Sequence, residues 1–140
     1  MKVYLTVKGD NITGYHTIDA SSGGDIVAMS GVEDSEATEI IASDVINFVS
    51  LSSLEELISG WIKKMRHGCT LVLGGVEIDE VCKALVSKAI DINKFNETIY
   101  EGRTSQISRP ELEKILIKHG LKITRKRSDN FNMVVEAIRL

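Results

Sequence analysis

Between Leu51 and Gly75 the apolar residues change period, and that change predicts two elements in direct succession. Leu54, Leu57, Ile58, Trp61, Ile62 and Met65 recur at the spacing that places them on one face of a helix. Ser52 and Ser53 each precede a glutamate by three positions (Glu55, Glu56), so either serine is a candidate cap for the exposed N–H groups of the first turn. Lys63, Lys64 and Arg66 suit the negative pole of the same helix, and Gly68 is its expected left-handed stop. Cys69 to Leu73 then reads as a short strand buried on both faces and closed by Gly74-Gly75. A helix leading straight into a buried strand is half of an α/β crossover.

The same reading applied along the chain gives the rest. Lys2 to Val7 alternates as a first strand, and Lys8-Gly9-Asp10-Asn11 carries turn chemistry. Tyr15 to Ile18 reads as a second strand closed by Asp19, Asp25 to Met29 as a brief third, and Thr38 to Ala42 as a fourth. Ser43-Asp44 then caps a short helical turn through Val45, Ile46, Phe48 and Val49. Ile78, Val81, Cys82, Leu85, Val86 and Ala89 predict a second amphipathic helix over Glu77–Ile90. From Asp91 to Ile107 the periodicity disappears, which predicts a long loop. Ser108 caps a third helix, with Pro110 in its first turn, Glu111 three residues after the cap and Gly120 as its stop. Leu121–Arg127 and Phe131–Arg139 alternate as two strands of an antiparallel hairpin turning at Ser128-Asp129-Asn130.

Composition narrows the class. At 140 residues the chain is expected to be one domain, residues 1–140, with a sizeable core. A net charge of −3, with both signs mixed along the chain, offers no broad cationic surface, so nucleic acid is not an expected partner. Neither a signal peptide nor a membrane span is expected, and the reading is a soluble, cytoplasmic protein. Cys69 and Cys82 fall at apolar positions without paired spacing and read as buried, reduced thiols. His16, His67 and His119 are too scattered for a metal motif. Lys122, Arg125, Lys126 and Arg127 form the only basic concentration and read as a charged edge strand.

Order and residues together resemble a known family. KGDNITGYHTID, GGDIV, EIIASDVINFV and LEELISGWIKKMRHGCTLVLGG, closed by ISRPELEKILIKHGLKITRKRSDNFNMVVEAIRL, are similar to small class I S-adenosylmethionine-dependent methyltransferase-like proteins of bacteria and bacteriophages. The resemblance implies a Rossmann-like α/β fold: a mostly parallel sheet with a C-terminal antiparallel hairpin and without N-terminal helices. It implies S-adenosylmethionine as cofactor, in the crevice at the carboxyl ends of the strands. Asp19 would accept hydrogen bonds from the ribose hydroxyls, Gly9 would let the backbone approach the methionine portion with Asp10 beside it, and Ser43 and Asp44 would face the methyl group and the acceptor. The residues alone offer a plainer role for each. Asp19 suits a strand-terminal turn, Gly9 a simple turn glycine, and Asp44 a helix cap rather than a general base.

The chain departs from the family's pattern in two places. Its glycine-rich motif is reduced to Thr6-Val7-Lys8-Gly9, with a β-branched residue where glycine is usual and a cation next to it. The stretch similar to the family's His-Val-Leu-Glu-His is Asp44-Val45-Ile46-Asn47-Phe48, which has neither the histidines nor the glutamate, so no catalytic residue is singled out. Two functions follow: methyl transfer to an unidentified acceptor, or a catalytically inactive methyltransferase-like module that binds or regulates a partner. A sheet short of covering helices also points to self-association as a homo-oligomer.

Overall fold

The computed structural model describes residues 1–140. Its centre is a six-stranded sheet in the order β2-β1-β3-β4-β6-β5. The strands are β1 (Lys2–Thr6), β2 (His16–Asp19), β3 (Ala37–Ala42), β4 (Met65–Val76), β5 (Leu121–Asp129) and β6 (Asn132–Arg139). β1 to β4 pair in parallel, and β6 runs antiparallel between β4 and β5. The helices are α1 (Leu51–Lys64), α2 (Ile78–Val86), α3 (Ile92–Ile99) and α4 (Arg109–Lys118). No helix is long and apolar enough to cross a membrane. The expected α/β architecture, mostly parallel with a closing hairpin, is the architecture observed.

One sheet face carries the core. Val3, Leu5, Ile40, Leu71, Leu73, Val135 and Ala137 pack against Leu54, Leu57, Ile58 and Trp61 of α1 and Leu112 and Leu116 of α4. α2 and α3 form a separate small cluster in which Val81 and Ile99 bury Val76 at the carboxyl end of β4.

Several boundaries differ from the sequence reading, each for a local reason. Asp25–Met29 is a turn, not a strand: the Asp25 carboxylate accepts the N–H groups of Val27 (2.9 Å) and Ala28 (3.0 Å), which curls the chain. Its apolar residues still face inward, with Ile26, Met29 and Val32 joining the core. Ser50, rather than Ser52 or Ser53, occupies the cap position of α1, and its hydroxyl bonds Ser53 Oγ at 2.9 Å instead of the backbone. Gly68 does not end α1. Met65 pairs with Ala37 and Thr70 with Glu39, so β4 bulges between them, and Gly68 takes φ +83° within that bulge.

Gly74 and Gly75 continue β4, because β6 pairs with them through to Val76. α2 stops at Val86, which is exposed. The expected loop at Asp91–Ile107 contains α3, capped by Asp91 Oδ1 accepting Lys94 N–H at 2.8 Å; only Ile99 of its residues is buried, which left no stripe to read. The hairpin turns at Asn130-Phe131, both at positive φ (+48° and +66°), rather than at Ser128–Asn130. Cys69 is buried, and burial raises its thiol pKa to about 11, whereas Cys82 is exposed, contrary to the expectation of two buried thiols.

Trp61 fastens the Asp25–Met29 turn to α1, since its fully buried ring donates Nε1–H to the Ile26 carbonyl at 2.8 Å. Trp61→Phe removes that bond and part of the ring volume, and should cost about 2–4 kcal/mol, measured by urea denaturation. A loss below about 0.5 kcal/mol would show that the turn does not depend on this contact.

Candidate functional site

From β1 the chain passes to β2 on one side of it and later to β3 on the other, so the crossover direction reverses between β1 and β3. At such a point the loops after neighbouring strands part and leave a crevice at their carboxyl ends. The sequence candidates fall here: Gly9 and Asp10 after β1, Asp19 at the end of β2, Ser43 and Asp44 after β3.

The β1–β2 connection is only residues 7–15, with no helix in it. Parallel strands are ordinarily joined by a dozen or more residues, usually a helix. Here the reversal is made with Gly9 (φ +77°) and Gly14 (φ +87°), conformations that glycine adopts without penalty. The folded connection leaves an open groove of about 470 Å³ lined by Gly9 to Thr17 and Asp19.

Gly9 and Asp19 are brought together across this groove. A Cβ on Gly9 would stand 3.6 Å from Asp19 Oδ2 and 3.7 Å from Ser21 Oγ, so the glycine keeps the space above the carboxylate clear. Asp19 also caps the turn Ala20–Ser22: Oδ1 accepts Ser21 N–H at 2.9 Å and Ser21 Oγ–H at 2.7 Å, and Oδ2 accepts Ser22 Oγ–H at 3.0 Å. These bonds, those of Ser21 foremost, hold its pKa below the ordinary carboxylate value. The Gly9 backbone also lowers the pKa of this carboxylate, so Oδ2 lies between Ser22 and the start of the groove at Gly9.

Asp10 is engaged elsewhere. Its carboxylate accepts Tyr4 Oη–H at 2.7 Å and Thr6 Oγ1–H, tying the connection back onto β1. The Thr6 bond, then the Tyr4 bond, lower its pKa, while burial and the Asp10 contact raise that of Tyr4.

Ser43 lies against β4. A Cβ on Gly74 would overlap the Ser43 carbonyl, so the glycine is what lets the β3 loop sit there. Asp44 forms an ion pair with Lys8, and Arg103 Nη2 approaches the same Oδ2 at 3.8 Å. The side chains after β1 and β3 are thereby bridged across the crevice rim. Arg103 is held in turn by the Thr98 carbonyl (3.2 Å) and by stacking on Phe48 (5.6 Å to the ring centroid), with its buried Nε left without a partner.

Three contributors escaped the sequence reading in their present roles. Lys8 reads in sequence as a neighbour of the ligand, and the structure makes it Asp44's partner. Arg103 had no local signal at all. Asn47 registered only as a missing glutamate, yet it is fully buried, its Oδ1 accepting Val76 N–H (2.8 Å) and its Nδ2 donating to the Ser105 carbonyl (3.1 Å). A second groove, about 450 Å³, lies over α1 between Val27, Val49 and Leu57 and shares no residue with the crevice. The histidines stay apart, His67 bonding Leu140 O (2.8 Å) and His119 bonding Glu55 (3.0 Å).

No protein-family model matches this chain, and no curated protein matches it in sequence. Solved structures do match in shape. An O-methyltransferase family protein from Burkholderia thailandensis is 12% identical at TM-score 0.63, the match covering 89% of this chain and 36% of that one. A SAM-dependent methyltransferase from Archaeoglobus fulgidus is 13% identical at TM-score 0.64, covering 96% and 74%. The magnesium protoporphyrin IX methyltransferase of Synechocystis, solved with bound SAH, is 19% identical at TM-score 0.58, covering 90% and 52%. The chain thus spans 36% to 74% of the length of these three proteins. What is shared at such identities is the fold, the Rossmann-like methyltransferase fold that the strand order and closing hairpin describe.

The depressed carboxyls give a pH test. Asp10 and Asp19 have folded pKa values below the reference 3.8, so the stability they add is complete well above that pH and is lost as pH falls through the folded values. Urea denaturation of the wild type, Asp10→Asn and Asp19→Asn at pH 7 and pH 3 should show each variant less stable at pH 7, with the gap shrinking at pH 3. A gap that does not narrow would mean that these carboxylates are not held ionised by their partners.

Proposed function

We propose that residues 1–140 form a single minimal methyltransferase-type domain, of bacterial or bacteriophage kind and working in the cytoplasm. In this reading it holds S-adenosylmethionine in the crevice and presents the methyl group to an unidentified acceptor. The observation that carries the proposal is the pairing of Gly9 with Asp19 across the β1–β2 connection, next to the point where the crossover direction reverses. A carboxylate oriented by Ser21 and Ser22 stands there beside a backbone stretch without a Cβ.

These residues fit the cofactor. Asp19 is held below the ordinary carboxylate pKa, is oriented by Ser21 and Ser22, and stands at the groove where a ribose hydroxyl would meet it, while Gly9 leaves room for the ligand. The bound cofactor supplies an electrophilic methyl group on a positively charged sulfur. The chain's part is to position: Asp19 fixes the nucleoside end, Gly9 with Lys8 borders the methionine end, and Ser43 with Asp44 borders the acceptor side. Orientation of this kind accounts for large rate effects without a proton acceptor in the protein. Lys8 works against a sulfonium unless its charge is compensated, since two cations about 5 Å apart at an effective dielectric near 20 repel by about 3 kcal/mol. Asp44 provides the compensation through the Lys8 ion pair.

A second reading has its own observation. The Lys8–Asp44–Arg103 bridge spans the rim and satisfies charges that a ligand would otherwise meet, as befits a catalytically inactive module with a binding or regulatory role.

Calorimetric titration with S-adenosylmethionine and with the uncharged thioether S-adenosylhomocysteine separates the two. The first reading expects saturable micromolar binding of both, weakened about 10- to 100-fold by Asp19→Ala, the range for loss of a hydrogen bond to a charged group. Lys8→Ala should improve the sulfonium ligand relative to the thioether. No binding of either up to millimolar ligand, in the wild type and in Lys8→Ala alike, would sink the first reading in favour of the second.

A further inference from the structure

The sheet's second face is without a helical layer over most of its area, which is unusual for a mostly parallel sheet, since such sheets are normally covered on both sides. Strand register defines this face as four rows, one of them Val76, Asn132 and Asp129 at the carboxyl end of β4. Tyr4, Ile41, Val72, Glu136 and Arg125 form the middle row of the other three. Glu39, Thr70, Ile138 and Lys122 form the row on one side of it, and Gly74, Val134 and Arg127 the row on the other. The β1–β2 connection covers Tyr4, and α2 with α3 covers only Val76 at the far end. Ile41, Val72, Val134 and Ile138 stay partly exposed and join neither apolar cluster. A shallow cavity of about 290 Å³, lined by Arg127 and Val134 among others, opens on this face.

Its basic residues gather along one edge. Lys122, Arg125 and Arg127 stand in one column along β5, all exposed and none within ion-pair distance of a carboxylate. With Lys2 they face three acids, Glu39, Glu136 and Asp129, of which only Asp129 stands on β5. Two copies stacked with β5 over β5 would set positive against positive.

We propose that this face docks an acidic amphipathic helix from another protein. A helix about 10 Å across spans two strand spacings of about 4.8 Å. Lying along β4 and β6, it would cover Val72, Val134 and Ile138 with its apolar stripe and bring one flank over β5. Acidic residues on that flank meet Lys122, Arg125 and Arg127, while a basic flank is repelled. The partner's apolar stripe and acidic flank are both required by the residues present, and the proposal does not depend on what occupies the crevice.

The test uses a fluorescently labelled synthetic peptide of 18 residues, with leucines at i, i+3, i+4 and i+7 spacing and glutamates on the flanks, titrated with the full chain by anisotropy. Saturable binding at tens of micromolar is expected, with helix content rising on binding and affinity falling as salt is added. Arg125→Glu/Arg127→Glu should weaken it at least tenfold, and a lysine-flanked peptide should bind that variant better than it binds the wild type. Ile138→Thr, which keeps a β-branched residue in the strand, should weaken binding about threefold or more, with urea denaturation verifying that both variants fold. Absence of binding, equal affinity for acidic and basic peptides, or binding without induced helix would overturn the proposal. So would a wild-type dimer in light scattering that Ile138→Thr dissociates.

Discussion

The carboxyl ends of β3 and β4 and the segment after α3 all depend on one buried amide. Asn47 accepts the N–H of Val76 through Oδ1, donates through Nδ2 to the Ser105 carbonyl, and accepts Thr104 N–H (2.7 Å) and Ser105 N–H (3.1 Å) on its own carbonyl. Asn47 and Val76 are buried, so without the bond between them the amide oxygen and the Val76 N–H would be left without partners, at about 1–3 kcal/mol apiece. Gly75 is part of the arrangement, because a Cβ there would stand 2.7 Å from Asn47 Oδ1. What Asn47 secures is position. Arg103 reaches Asp44 only because the next residues, Thr104 and Ser105, are fixed to the β3 loop. Asn47 is the joint of the crevice rim.

Asp19 shows how one carboxylate serves fold and site together. By capping the turn Ala20–Ser22 it ends β2 and directs the chain toward the core-facing side. The bonds that form the cap also keep it ionised and fix its orientation, which is the preparation a ligand-binding acid needs. The plainer reading of Asp19 as a turn residue and the ligand-binding reading are therefore compatible. Asp10 differs: both of its oxygens are committed to β1 through Tyr4 and Thr6, so its contribution to the crevice is to hold the shape of the connection beside Gly9.

Much of the fold was legible because burial leaves a periodic trace. α1 and α4 showed the stripe that they bury, the Ser108 cap and the Gly120 stop (φ +86°) stood where local chemistry put them, and β6 alternated as expected, whereas β5 is exposed beyond Ile123, where it bulges. What could not be read depends on partners distant in sequence. Asp25–Met29 is apolar enough for a strand, but its own aspartate curls it and Trp61 anchors it from another element. The extension of β4 through Gly74 and Gly75 depends on β6, and the bulge at Gly68 on β3. Cys82 fits an apolar stripe in sequence, yet α2 buries only Val81. In the site, the placement of Gly9, Asp19, Ser43 and Asp44 at strand ends was readable, whereas the contacts of Lys8, Arg103 and Asn47 cross loops whose shapes have no local signature.

The open groove and the bare sheet face share one cause. Residues 7–15 join two parallel strands over a distance that normally accommodates a crossover helix, and a segment that short has no room for one. Without that helix nothing closes the space between Gly9 and Asp19, and the second face lacks a layer that would seal Ile41 and Val72. The chain compensates locally: Asp10 binds the connection to β1, Tyr15 Oη–H donates to Glu39 at 2.7 Å, and Lys2 lies 5.6 Å from the Tyr15 ring centroid. These contacts extend over β1 and β3 but do not reach β4 or β6. The exposed apolar positions and the basic column of β5 therefore lie side by side where the compensation ends, and a shortened connection at one edge of the sheet sets the character of the surface near the other.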